Sequence, residues 1–239
     1  MPDTAIKERP IICTAESVRG ILDNLKRQTR RVIKPQPVRV SGDWDDGAEA
    51  GDHVIYRGWP TKLVESNGRN KAAAGILTPL ARTCLYGKPG DRLWVRETWG
   101  VGAHWDSTKP RDLPQDGPDV EYKAGPTFYL AHVDQWRSPY HMPRWACRLI
   151  LEVTGVRVER VQDISDDDCE AEGIFNASGL HLAHCSRTHF HPDHDCQCGD
   201  NSPQDEFAKL WDSINGKRDG CSWEANPWVW VVTFRKVDL

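Results

Sequence analysis

Asn24-Leu25-Lys26-Arg27-Gln28-Thr29-Arg30-Arg31 joins the end of a helix to the start of a strand. Upstream, Val18, Ile21, Leu22 and Leu25 recur at i, i+3, i+4 and i+7, the apolar stripe of an amphipathic helix. Asn24 suits the end of that helix, because asparagine tolerates the left-handed conformation better than most residues. Downstream, Thr29 to Ile33 reads as extended chain, and Pro35 and Pro37 close the unit. Lys26 and Thr29 are thus a lysine and a hydroxyl held three residues apart at a structural junction. The pair supplies a base and a nucleophile, or a basic grip on phosphate, or no more than a capped turn with a solvated lysine.

The surrounding charge favours an anion at this junction. Between Ser17 and Val40 lie seven basic residues (Arg19, Lys26, Arg27, Arg30, Arg31, Lys34, Arg39) and one acidic residue, Asp23. The whole chain of 239 residues carries a formal charge of -4, which argues against non-specific coating of nucleic acid. With 28% charged and 38% hydrophobic residues the composition is globular. No apolar run reaches the length of a membrane span and no signal-peptide pattern opens the chain, so no membrane partner and a cytoplasmic location are expected. Eight cysteines then read as thiols or metal ligands in preference to disulfides.

Ile11-Ile12-Cys13 reads as a short buried strand. Gly87-Lys88-Pro89-Gly90-Asp91 is a turn, and Arg92 to Trp99 a strand leaving it. Arg148 to Val161 alternates as one long strand or a pair broken at Gly155. Ser165 caps a short helix with Asp166, Asp167 and Asp168 in its first turn, favourable against the helix dipole, and Gly173 ends it. Ser202 and Pro203 open a further helix that buries Phe207, Leu210, Trp211 and Ile214. In the closing strand Trp228, Trp230, Val232 and Phe234 share one face. Separated strands with short helices between them predict an α+β chain, a single domain built as a small mixed barrel. Irregular insertions are expected at about 40–80, 100–138 and 176–202. Walker, dinucleotide-binding and Gly-x-Ser-x-Gly patterns are absent from the sequence, which removes the common nucleotide hydrolases and serine esterases.

The stretch from Ile21 to Arg31 resembles the signature of the ASCH domain family, Gly-x-Lys-x-x-Glu-x-Arg, a family with a PUA-like β-barrel. Lys26 and Arg31 match; Asn24 stands for the glycine and Thr29 for the glutamate. The segments Tyr86–Trp99, His141–Arg148, Ile164–Ile174 and Trp211–Arg218 are similar to the larger phage and prophage members. Thr29 in the glutamate position resembles the branch that hydrolyses N4-acetylcytidine with a Lys-x-x-Thr pair and a later glutamate, whose place Glu172 takes. The resemblance implies an amidohydrolase on an N4-acylated cytosine nucleoside or a related modified nucleoside or nucleotide. Lys26 would be the base, Thr29 the nucleophile and Glu172 a proton shuttle or water orienter. Arg30, Arg31, Arg96, Glu97 and Trp99 are the candidate substrate contacts. No cofactor is expected for the chemistry. The second reading is an RNA- or single-strand-binding PUA-like module, with a metal-dependent nuclease as its variant.

Residues 181–198 concentrate five of the nine histidines and three of the eight cysteines. Cys185, His191, Cys196 and Cys198 are the chosen candidate ligands for a structural zinc, with His189 and His194 as alternatives to His191. A His-rich loop without metal is the competing reading.

Overall fold

The computed structural model describes residues 6–36, 38–40, 53–56, 59–62, 84–116, 119–125, 133–174 and 202–237. In chain order the elements are β1 (Glu8–Ile12), α1 (Ala15–Leu22), β2 (Gln28–Val32), β3 (Val38–Val40), β4 (His53–Tyr56) and β5 (Trp59–Lys62). There follow β6 (Arg92–Arg96), β7 (Trp99–Val101), β8 (Val120–Tyr122), β9 (Ile150–Arg160), α2 (Asp166–Ala171), α3 (Pro203–Asn215) and β10 (Trp228–Val237). The chain is α+β. Its largest sheet has the order β1-β6-β9-β10-β2 and is open, with β1 and β2 at its edges. The closed barrel expected from the strand spacing is not formed among the described residues, because closure requires the two edge strands to pair with each other.

By contacts the chain divides into two units: Met1–Arg27, Pro89–Thr154 and Phe234–Leu239 form the first, Gln28–Lys88 and Gly155–Thr233 the second. In the first unit β1 lies parallel to β6, and β6 antiparallel to β9. Thr14 caps α1 by accepting from the Ser17 amide at 3.2 Å. The helix stops at Leu22, a turn earlier than the apolar stripe suggested. Asn24 adopts φ 59°, and the amides of Leu25 and Lys26 both donate to Gly20 O (2.8 and 2.9 Å), so the carbonyl end of the helix is satisfied by its own exit loop. The strand predicted from Arg92 to Trp99 is broken at Glu97–Thr98 into β6 and β7, and β7 pairs with β8 instead. There Trp99, Val101, Leu113, Met142 and Ala146 make one apolar cluster. Gly100 sits where any Cβ would collide with the Val133 side chain.

In the second unit β2 pairs antiparallel with β10, Thr29 opposite Val232 and Arg31 opposite Trp230. β4 and β5 of the β3-β4-β5 sheet lie in the 40–80 region, whose weak periodicity predicted no strands, and β3 leads into it. β9 is continuous through Gly155, where a Cβ would come within 3.1 Å of the Thr233 hydroxyl. Ser165 caps α2 and Gly173 closes it at φ 90°. Ser202 and Asp205 form a capping box at the start of α3. Phe207 and Trp211 of α3 join Val161, Ile164, Cys169, Ile174, Val229 and Val231 in the core, with Leu210 packed against them. Ile214, expected in that stripe, is 47% exposed; Asn215 is buried instead. Among the described residues no helix is long and apolar enough to cross a membrane.

Candidate active site

β2 presents two different chemistries on its two faces. Strand alternation puts Gln28, Arg30 and Val32 on one side and Thr29 and Arg31 on the other. Val32 packs with Val229 and Val231 on the side covered by α2 and α3, which fixes that side as the Arg30 side. Thr29 and Arg31 share their side with Val232 and Trp230.

The Arg30 side holds a closed charge network. Arg30 donates through Nε to Glu159 Oε1 at 3.0 Å, through Nη2 to Asp168 Oδ2 at 2.9 Å and through Nη1 to Glu172 Oε1 at 3.2 Å. Its guanidinium also lies 5.6 Å from the Phe207 ring centroid. Arg157 donates to the remaining Glu159 oxygen at 2.9 Å and also bridges to Asp168 and to Gln28 Oε1. Gln28 Nε2 in turn donates to Asp168 Oδ1 at 3.0 Å. Both oxygens of Glu159 and of Asp168 are therefore bonded, the condition under which buried charges are tolerated. Burial alone would lower the Arg30 pKa, but Glu172, Glu159 and Asp168 outweigh it and raise it. The carboxyl of Asp168 is held below its usual range. Burial acts to raise it, and the Gln28 amide with the Arg157 and Arg30 guanidinia more than compensates. Cys169, beside them, is pushed up to about 12 by burial, a thiol unsuited to nucleophilic work.

The structure thus brings Glu172 to Arg30, and strand alternation turns Thr29 to the other face of β2. Lys26 is 8% and Thr29 7% exposed, so both are withdrawn from bulk water. Arg31 lies on the Thr29 side with its guanidinium 6.0 Å from the centre of the Tyr86 ring. Tyr86 was not among the expected contacts. Only tertiary placement brings it to Arg31, since the two are 55 positions apart in the chain.

The other expected contacts lie in the first unit. Glu97, 1% exposed, takes a bidentate pair from Arg148, with Nε–Oε1 and Nη2–Oε2 both 2.9 Å. Arg148 in turn stacks 4.1 Å from the Tyr122 ring centre, and burial pushes the Tyr122 hydroxyl up to about 12. Trp99 is fully buried in the apolar cluster. Arg96 lies between the rings of Trp94 and Tyr140, at 5.2 and 5.7 Å. Cys185, His191, Cys196 and Cys198 lie outside the described residues; among the described ones no cluster has the makings of a metal site.

No protein family, no curated protein and no solved structure matches the chain.

Arg157, Glu159 and Asp168 carry the network and were not among the candidate residues. Their signal in the sequence is faint. Arg157 and Glu159 share a strand face, and Asp168 reads as one of three interchangeable first-turn acids until the fold turns it towards Arg157.

Proposed function

We propose that this chain is an ASCH-type, PUA-like amidohydrolase that removes the acyl group from N4-acylated cytosine nucleosides or nucleotides. The observation that carries this reading is the burial of Lys26 and Thr29, three residues apart in the chain. Lysine is rarely that buried, and a lysine and a hydroxyl shielded from bulk water suit general-base activation of the hydroxyl. Thr29 Oγ1 attacks the acyl carbon as Lys26 takes its proton. The tetrahedral intermediate expels the cytosine amino nitrogen, which Lys26 reprotonates. Water then hydrolyses the acyl-threonine, returning the threonine hydroxyl and a carboxylic acid. Arg31 and Tyr86, on the Thr29 side of β2, contact the base. In this scheme Arg30 and Glu172 are positioning residues: they fasten β2, an edge strand, so that Thr29 keeps its orientation. A structural zinc on Cys185, His191, Cys196 and Cys198 belongs to the same proposal, tested by metal analysis of untagged protein.

The test is release of cytidine from N4-acetylcytidine, and of deoxycytidine from the deoxy form, followed by chromatography. Wild type releases the base-deacylated nucleoside, Thr29→Ser retains part of the rate, and Lys26→Ala or Thr29→Val loses at least about 100-fold with unchanged circular dichroism. No release by wild type, or full retention by Lys26→Ala, overturns the proposal.

A further inference from the structure

We infer that the outer face of β1 and β6 in the first unit docks an acidic peptide segment of a partner protein, one that carries an aromatic or aliphatic anchor. Strand alternation sends Ile11, Leu93 and Val95 into the core, each 2% exposed or less. The same alternation turns Pro10 and Ile12 of β1 outward, beside Trp94 and Arg96 of β6. Ile12 is 41% exposed. Arg96 donates to the Tyr140 carbonyl, and its guanidinium lies 5.7 Å from the centre of the Tyr140 ring, which brings that 67% exposed residue to the same face. Aliphatic and aromatic side chains thus stand open to water where a half-buried sheet ordinarily turns polar ones outward. The free edge of β1 is a poor place for an added strand. Arg92 N donates to Lys7 O at 2.8 Å and Cys13 N to Arg96 O at 3.0 Å, so the odd residues of β1 bond to β6. Pro10 then puts its ring where a free-edge N–H would stand, which leaves the side-chain face as the surface for docking.

Charge selects the occupant. The acids beside Arg92 on the neighbouring strands are both engaged, Glu8 by Arg144 at 3.0 Å and Glu152 by Arg235 at 2.8 Å. Arg92 makes no ion pair among the described residues, and Arg96 bonds a carbonyl. The face is therefore cationic at Arg92 and Arg96, on a chain whose formal charge is -4. Two such faces set against each other repel, which disfavours a second copy as the occupant; an acidic segment is complementary. Pro10 and Ile12 gain nothing from a phosphate backbone, whereas an apolar peptide side chain buries them. Tyr140, Trp94 and the two arginines supply the residue types that dominate protein-binding hot spots.

The surface is independent of the deacylation reading, whose assay uses a free nucleoside, so either can fail alone. Fluorescence anisotropy at low salt of a labelled peptide of alternating glutamate and leucine, with a central tryptophan, tests it. Wild type binds this peptide, more weakly as salt rises, and does not bind the same peptide with lysine in place of glutamate. Tyr140→Ala weakens binding by about 5- to 30-fold, and the charge reversal Arg92→Glu does so at least as much, both at the wild-type melting temperature. Absence of binding by wild type, or wild-type affinity in either variant, overturns the inference. So does an oligothymidylate that binds where the peptide does not and is lost in Tyr140→Ala. A dimer that Tyr140→Ala dissociates in light scattering, with peptide affinity unchanged, overturns it as well, since the face would then be a self-association surface.

Discussion

Glu172 accepts from Arg30 at 3.2 Å, one residue along β2 from Thr29 and on the face that Thr29 turns away from. Two neighbours in the sequence consequently serve different ends. Arg30 ties the sheet-edge strand to β9 and α2, and Thr29 is left to the opposite side. A substitution at one should be separable from a substitution at the other.

Removing Arg30 leaves Glu159 and Glu172 buried without their main counter-charge. Arg30→Ala is expected to cost about 3–5 kcal/mol of stability, read from the urea midpoint. Arg30→Lys should recover only a minor part, because an ammonium cannot present a planar fork to three carboxylates. A lysine variant as stable as wild type would mean that charge alone, without the fork, holds the network.

Acid should unfasten the same network. The Asp168 carboxyl titrates lower in the folded chain than the roughly 3.9 of an unfolded aspartate. Its ionised form therefore stabilises the fold above that value, and the contribution is lost as pH falls below about 4 towards the folded pKa. Asp168→Asn is expected to be about 1–3 kcal/mol less stable at neutral pH and to decline less steeply on acidification. Urea midpoints measured across that range check it; a decline as steep in the variant as in wild type counts against the assignment.

Gly100 in β7 has no room for a methyl group, because Val133 occupies the space. Gly100→Ala should destabilise by about 1–3 kcal/mol through overpacking. Combining it with Val133→Ala should recover more than additivity allows, since the second change opens the space the first one needs. Thermal melts of the four proteins in the cycle give the coupling directly.

Local chemistry made several elements readable before any coordinates. Asn24 takes the positive φ that its side chain tolerates, Ser165 and Ser202 cap the helices they precede, and Gly173 ends α2. These depend on a few neighbouring residues, so short-range patterns suffice. Where pattern met tertiary context it lost. Alternation could not show that the strand after Asp91 breaks at Glu97, because the break is where the pairing partner changes, from β9 for β6 to β8 for β7. Nor could the stripe in α3 tell that Ile214 would lie outside the core, since the number of buried turns depends on what packs against the helix.

The same division holds at the candidate site. That Lys26 and Thr29 lie at a helix-to-strand junction follows from the residues alone, because covalent spacing and backbone propensity are local properties. Which partners each face meets depends on contacts far apart in the chain. Glu172 reaches Arg30 across 142 positions, Arg157 and Glu159 complete the pair's surroundings from β9, and Tyr86 meets Arg31 from a distant turn. Burial made those partners obligatory, since a guanidinium removed from water must find carboxylates, and the fold alone selects which ones are within reach.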